Sequence, residues 1–160
     1  MEVEKTDNLE MREEGDDEVS KYTYEDGTEC IGEWKNEGKR EGIGYMKFPI
    51  GTVYVGHFEN GFPSGLGVMR FADGARYEGE FLQGWFHGFG IFWRSDGMRF
   101  EGEFRGGKIS GKGLITYADG THGFPRQEGQ FQDCKFIRKE QCQQSILKAQ
   151  KYALLARSLI

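Results

Sequence analysis

The sequence predicts a mostly β fold: an elongated, single-layer antiparallel sheet of consecutive β-hairpins, a repeat solenoid, with an amphipathic helix at its C-terminal end. Three observations predict it. Glycine makes up 25 of 160 residues, about twice its usual share of ~7%. An aromatic-x-Gly-x-Phe motif returns every 23 residues through the middle of the chain. The C-terminal segment then abruptly loses glycine and proline. With three prolines and no G-X-Y period, the glycine excess is not collagen-like.

Charge divides the chain into three parts. Residues 1–20 hold nine acids and two bases, residues 21–134 are close to neutral, and residues 135–160 hold six bases and one acid. The first part reads as a disordered acidic arm, with masking of the basic end as a lesser reading. It lacks a signal-peptide h-region, and no apolar run approaches the ~20 residues of a membrane span. The body lacks the positive balance that duplex nucleic acid rewards, so no nucleic acid is expected as a partner.

The repeat comes next, because missing a period miscalls the fold. Tyr54-Val-Gly-His-Phe, Tyr77-Glu-Gly-Glu-Phe and Phe100-Glu-Gly-Glu-Phe start 23 residues apart, and an earlier copy starts at Cys30 with one extra residue near Glu37. Copies therefore run near 30–53, 54–76, 77–99 and 100–122, with partial copies at both ends of a sheet spanning 21–134. Each copy carries a G-x-x-x-G-x-G passage, such as Gly84/Gly88/Gly90. Three close on Asp-Gly (Asp73-Gly74, Asp96-Gly97, Asp119-Gly120) and the first on Ile50-Gly51. Asp-Gly between alternating apolar residues signals a hairpin, because the turn needs positive φ.

Strand alternation then assigns faces. One face receives Trp34, Phe58, Phe71, Phe81, Phe92, Phe104 and Tyr117 together with the recurring glycines, over which the rings can lie. The other receives Glu78, Glu80, Glu101 and Glu103, read as a solvated ladder, plus an apolar column of Tyr45, Val68, Ile91 and Leu114. Arg94 falls where other copies carry Phe48, Phe71 and Tyr117, and is expected to stack on a ring or meet a partner carboxylate. Repeat three is the most aromatic, with Trp85, Phe86, Phe89, Phe92 and Trp93.

Residues 135–160 are expected to form the helix, since Cys142, Ile146, Ala149, Ala153 and Ala156 recur at i+3/i+4. The expected role is to cap the last hairpin, as solenoid ends require. A basic amphipathic helix on anionic membrane is the alternative.

The copies resemble the MORN repeat (membrane occupation and recognition nexus), Y-x-G-x-W/F-x-x-G-x-x-x-G-x-G. The match covers roughly residues 22–131, and the broken last repeat followed by a helix is similar to the small four-repeat members of the family. That resemblance implies a protein-interaction adaptor that binds the tail of a class III unconventional myosin. It also implies a cytoplasmic location in actin-rich projections such as filopodia, stereocilia or photoreceptor structures, and a link to axon degeneration.

The residues lead to the same class of function by another route. A single-layer sheet with one aromatic face has no second sheet in the sequence to cover it, and a helix of ~10 Å diameter is too narrow. Large exposed apolar patches mark interaction sites. The expected partner-binding residues are Trp34, Phe58, Phe71, Phe81, Trp85, Phe92, Arg94, Phe104 and Tyr117. Weak binding to anionic lipid, or a phosphoinositide-binding membrane module, is the alternative. No enzyme, metal or cofactor is expected. Three cysteines and three histidines lack ligand spacing. Gly102-Glu-Phe-Arg-Gly-Gly-Lys108 lacks the Ser/Thr and the following helix of a P-loop.

Overall fold

The computed structural model describes residues 19–35, 39–118 and 126–160, and the side chains of 21–32, 42–118 and 126–160. The arm up to residue 18, the insertion near Glu37 and the Asp119-Gly120 turn lie outside the described residues, as does the side chain of Trp34.

Eleven described strands form one sheet in chain order, each antiparallel to the next. They are β1 (Val19–Thr23), β2 (Glu29–Lys35), β3 (Lys39–Lys47), β4 (Val53–Glu59), β5 (Phe62–Arg70), β6 (Arg76–Leu82), β7 (Trp85–Trp93), β8 (Arg99–Arg105), β9 (Lys108–Thr116), β10 (Arg126–Gln132) and β11 (Lys135–Lys139). One helix follows, α1 (Gln143–Arg157). At about 4.8 Å per strand the sheet extends about 48 Å.

Two kinds of turn alternate along it. After β5 the chain reverses through Phe71–Ala75, where the Gly74 amide donates to the Phe71 carbonyl and Asp73 Oδ1 accepts from the Ala75 amide. Gly74 sits at φ 93°, the left-handed position that makes Asp-Gly the expected signal. At the other rim four described reversals have two residues each, both left-handed: Asn60-Gly61, Gln83-Gly84, Gly106-Gly107 and Asp133-Cys134. This is the hairpin geometry whose twist matches paired strands.

Glycines pair across the sheet in one row: Gly44, Gly56, Gly67, Gly79, Gly90, Gly102, Gly113 and Gly129 are successive partners. A methyl group on Gly67, Gly90 or Gly113 would overlap the ring of Tyr54, Tyr77 or Phe100. The glycine row is therefore the floor on which the aromatic layer lies, as the alternation predicts.

The C-terminal segment departs from expectation. Lys135–Lys139 is not helix but the eleventh strand, completing the broken last repeat against β10. The helix starts only at Gln143. Nor does it cap the last hairpin: α1 crosses the sheet over β5 to β9, on the face opposite the aromatic rings. Ala149 and Ala153 are fully buried against Ile91, flanked by Phe89 and Trp93. Alanines at the contact let the helix backbone come close to the sheet, which a leucine stripe would not.

The glutamates of that face are correspondingly not a solvated ladder. Val68, Glu78, Ile91, Glu101, Leu114 and Glu128 are successive cross-strand partners beneath α1, and Glu78 and Glu101 are 1% and 4% exposed. Each glutamate is held from α1 or from the residue just before it. Arg157 Nη2 lies 2.9 Å from Glu78, Gln150 Nε2 donates to Glu101 at 3.0 Å, and the Cys142 amide donates to Glu128 at 2.9 Å. These contacts are eight and seven residues apart, about two helical turns or 10.5–12 Å. The glutamates are two strands apart, about 9.6 Å. Helix pitch and repeat period thus match.

Glu80 and Glu103 have a different task. Each repeat has a bulge where the strand after the two-residue turn carries extra residues, with Gly88 at φ 66°. Glu80 accepts from the Phe89 amide (2.6 Å), Glu103 from the Lys112 amide (2.8 Å), and His57 Nδ1 from the Leu66 amide (3.3 Å). A buried amide that lost its ladder partner would cost about 1–3 kcal/mol.

Candidate partner-binding face

The aromatic face has two layers. The inner one is a continuous zipper. Within a strand, Tyr54 meets Phe58 edge to face (5.2 Å), Tyr77 meets Phe81 (5.0 Å) and Phe100 meets Phe104 (5.2 Å). Between repeats, Tyr54 meets Phe81 (4.9 Å), Tyr77 meets Phe104 (5.0 Å) and Phe100 meets Phe131 (5.2 Å). Edge-to-face pairs at this separation contribute about 0.5–1.5 kcal/mol beyond burial. Tyr54, Tyr77 and Phe100 have no exposed surface. Their polar ends reach the backbone: Tyr54 donates to the His57 carbonyl (2.7 Å) and Tyr77 to the Glu80 carbonyl (2.8 Å). Burial pushes both phenols well above their ordinary range.

The outer layer is half-buried. Phe48, Phe71, Phe86, Phe92, Ile109 and Tyr117 rest on the zipper. Phe86 is its centre, stacked on Tyr77 at 4.0 Å and 11° and meeting Phe71 and Phe92, each at 6.2 Å. Among the described residues, no helix and no second sheet lies over this layer.

The expected binding residues sort accordingly. Phe58, Phe81 and Phe104 are buried at 3–4% exposure and build the floor. Phe71, Phe92 and Tyr117 are half-buried in the outer layer. Trp85 is exposed at the rim, with its ring against Gly107 of the next two-residue turn. Arg94 is exposed and forms a bidentate pair with Asp96 of its own turn, at 2.9 and 2.6 Å. That pair ties the guanidinium to its own turn. That pairing, with the Met98 amide, holds the Asp96 carboxyl down at about 2. Trp34 has its backbone in β2, and its side chain lies outside the described residues.

Phe86 is the residue the pattern leaves out. The same position in neighbouring copies is Pro63 and Ile109, so no aromatic period marks it. The aromatic run of repeat three is in fact divided: Phe86 and Phe92 face the rings, whereas Phe89 and Trp93 pack with α1. Plain alternation makes that division: Phe86 and Phe92 lie an even number of residues apart, Phe89 and Trp93 an odd number from either, and the bulge that sets Glu80 opposite His87–Phe89 keeps that parity. Among the described residues, no three His, Cys, Asp or Glu side chains gather where a metal ion could be held.

A sheet of successive hairpins with a glycine floor and an aromatic zipper defines a MORN-repeat protein. The family model of the MORN repeat matches residues 30–53, 54–76, 77–99 and 100–122, more than half of the chain, and the chain belongs to that family. It is 64% identical over 140 residues to the MORN repeat-containing protein 4 homolog of Drosophila melanogaster, an alignment covering 88% of this chain and 71% of that one.

Proposed function

We propose that this chain is a non-enzymatic interaction adaptor whose aromatic face binds an extended segment of a partner protein. The observation that carries this is the outer layer: half-buried Phe71, Phe86 and Phe92 packed around one another, uncovered among the described residues, with Trp85 on the rim and Arg94 tied to its own turn. Burying the remaining surface of such a ring is worth on the order of 1 kcal/mol. The inner zipper stays with the fold.

The likeness to retinophilin, the small four-repeat member of the family, supports the tail of a class III unconventional myosin as that partner. It also supports a cytoplasmic site of action, in actin-rich projections such as filopodia, stereocilia or photoreceptor structures. A link to axon degeneration belongs to the same reading. Titration of a myosin tail peptide tests it. Phe92→Ala is expected to weaken binding about 5–30-fold, by 1–2 kcal/mol, and Arg94→Glu to weaken it further. Wild-type affinity in both variants overturns the reading.

A second reading, binding at a membrane surface, is favoured by the outer side of α1. Leu147, Leu154 and Leu155 are exposed there beside Lys148 and Lys151. No helix of the described residues is long and apolar enough to cross a membrane. Surface binding would show as sedimentation with phosphoinositide vesicles that Leu154→Ser abolishes.

A further inference from the structure

The helix-bearing face carries a row of bases that the aromatic face does not use. One strand row flanking α1 reads Lys47, Val53, Arg70, Arg76, Trp93, Arg99, Thr116, Arg126, each the cross-strand partner of the next. Directly paired residues share a face, so five bases stand on this face from β3 to β10, three of them (Arg70, Arg76 and Arg99) on strands that α1 crosses. The row spans about 34 Å. Arg70 and Arg76 stand directly opposite each other, an arrangement of like charges that costs stability.

Local carboxylates balance it only in part, and Glu29 stands opposite Lys47 where the row begins. Glu78 is shared by Arg76 (3.2 Å) and Arg157 (2.9 Å), and Glu101 lies 3.5 Å from Arg99. Arg70 and Arg126 form no ion pair with any described residue. Arg76 Cζ lies over the Trp93 ring, 4.3 Å from its centroid. A chain of net charge −5 thus carries a basic stripe on a surface with its own apolar neighbour, the exposed leucines of α1.

We propose that this arginine row is the docking surface of the chain's own acidic arm, residues 1–18. The arm holds nine acids against two bases, with Val3, Leu9 and Met11 among them. Its charge complements the row, and its apolar residues complement the helix leucines. It also reaches. The arm joins the sheet at Val19 in β1, about 19 Å of strand spacing from β5 and 34 Å from β8. Eighteen extended residues cover about 59 Å. Because the arm is tethered, its local concentration is in the millimolar range, so several weak carboxylate–guanidinium contacts suffice. The docked arm leaves the aromatic face open and covers the side of the molecule that would otherwise attract anionic surfaces.

Paramagnetic relaxation on the full chain tests this. A spin label is placed at Asn8→Cys, with Cys134→Ser removing the exposed native thiol. Expected is at least about twofold broadening of the Arg70, Arg76 and Arg99 Nε–H signals at low salt, disappearing near 0.5 M salt, where the screening length falls to about 4 Å. Loss of broadening is expected in Arg70→Glu/Arg126→Glu. It is expected equally in an arm variant with Glu13→Gln, Glu14→Gln, Asp16→Asn and Asp17→Asn, which leaves every sheet and helix residue unchanged. Broadening that survives either set of changes overturns the proposal, as does broadening confined to the Met46 and Met69 methyls of the aromatic face. If Arg70→Glu/Arg126→Glu abolishes sedimentation with phosphatidylserine vesicles while arm broadening persists, the row serves a membrane and the proposal falls.

Discussion

At the residue scale, the same structural position is filled by different chemistry in different repeats, and the differences carry measurable costs. The two-residue turn is the clearest case. It is Asn-Gly, Gln-Gly and Gly-Gly in successive copies, but Asp133-Cys134 in the last, where Cys134 is held at φ 68°. A left-handed non-glycine residue costs about 1–2 kcal/mol. Cys134→Gly is therefore expected to raise stability by about 1 kcal/mol, or 2–4 °C in Tm for a chain of this size, read by thermal unfolding. Arg94 and Asp96 give a second residue-scale expectation. The Asp96 carboxyl, held at about 2 by Arg94 and the Met98 amide, contributes above its ordinary value of 3.8 and loses that contribution as pH falls towards 2. In Arg94→Ala its NMR titration midpoint should move up, yet stay below 3.8, because the Met98 amide still donates. An unchanged midpoint would mean that the pair does not persist in solution.

At the scale of elements, the strands were legible and the helix only partly so. Alternation and Asp-Gly spacing place β5 and β6 and the glycine floor, because those signals are local. The Gly-Gln-Phe remnant at 129–131 marks β10, but nothing local in Lys135–Lys139 separates a strand from a helix: it lacks glycine and proline, and only pairing with β10 decides it. The face on which α1 lies was equally hidden, since its contacts join residues 49 and 79 positions apart. A signal did exist. Glu78 and Glu101 recur with the repeat, and Gln150 and Arg157 recur at two helical turns. Recognising it requires the match of the two lengths. Because Ala149 and Ala153 are fully buried against the sheet, Ala153→Leu should lift α1 at a cost of about 1–3 kcal/mol. Hydrogen exchange should then quicken along the helix and beside Glu78, and hardly at all in β2 to β4.

At the scale of the whole molecule, the sheet is built from neighbours only, and its two faces have separated tasks. One face is closed by a helix that reads the glutamate period. The other is closed by its own rings up to the outer layer and no further. Of the expected binding residues, Phe71, Phe92, Tyr117, Trp85 and Arg94 have surface to offer, while Phe58, Phe81 and Phe104 sit beneath them. Sequence alternation places a residue on a face, but its depth depends on ring-to-ring packing between repeats. The same packing brings Phe86 to the centre with no period to announce it. The most direct test of the aromatic face as the docking surface is hydroxyl-radical footprinting of the chain with saturating myosin tail peptide. Protection is expected at Phe71, Phe86, Phe92 and Trp85, with Leu147 and Leu154 of α1 unchanged. Protection of the α1 leucines with undiminished labelling of the three phenylalanines would contradict the account.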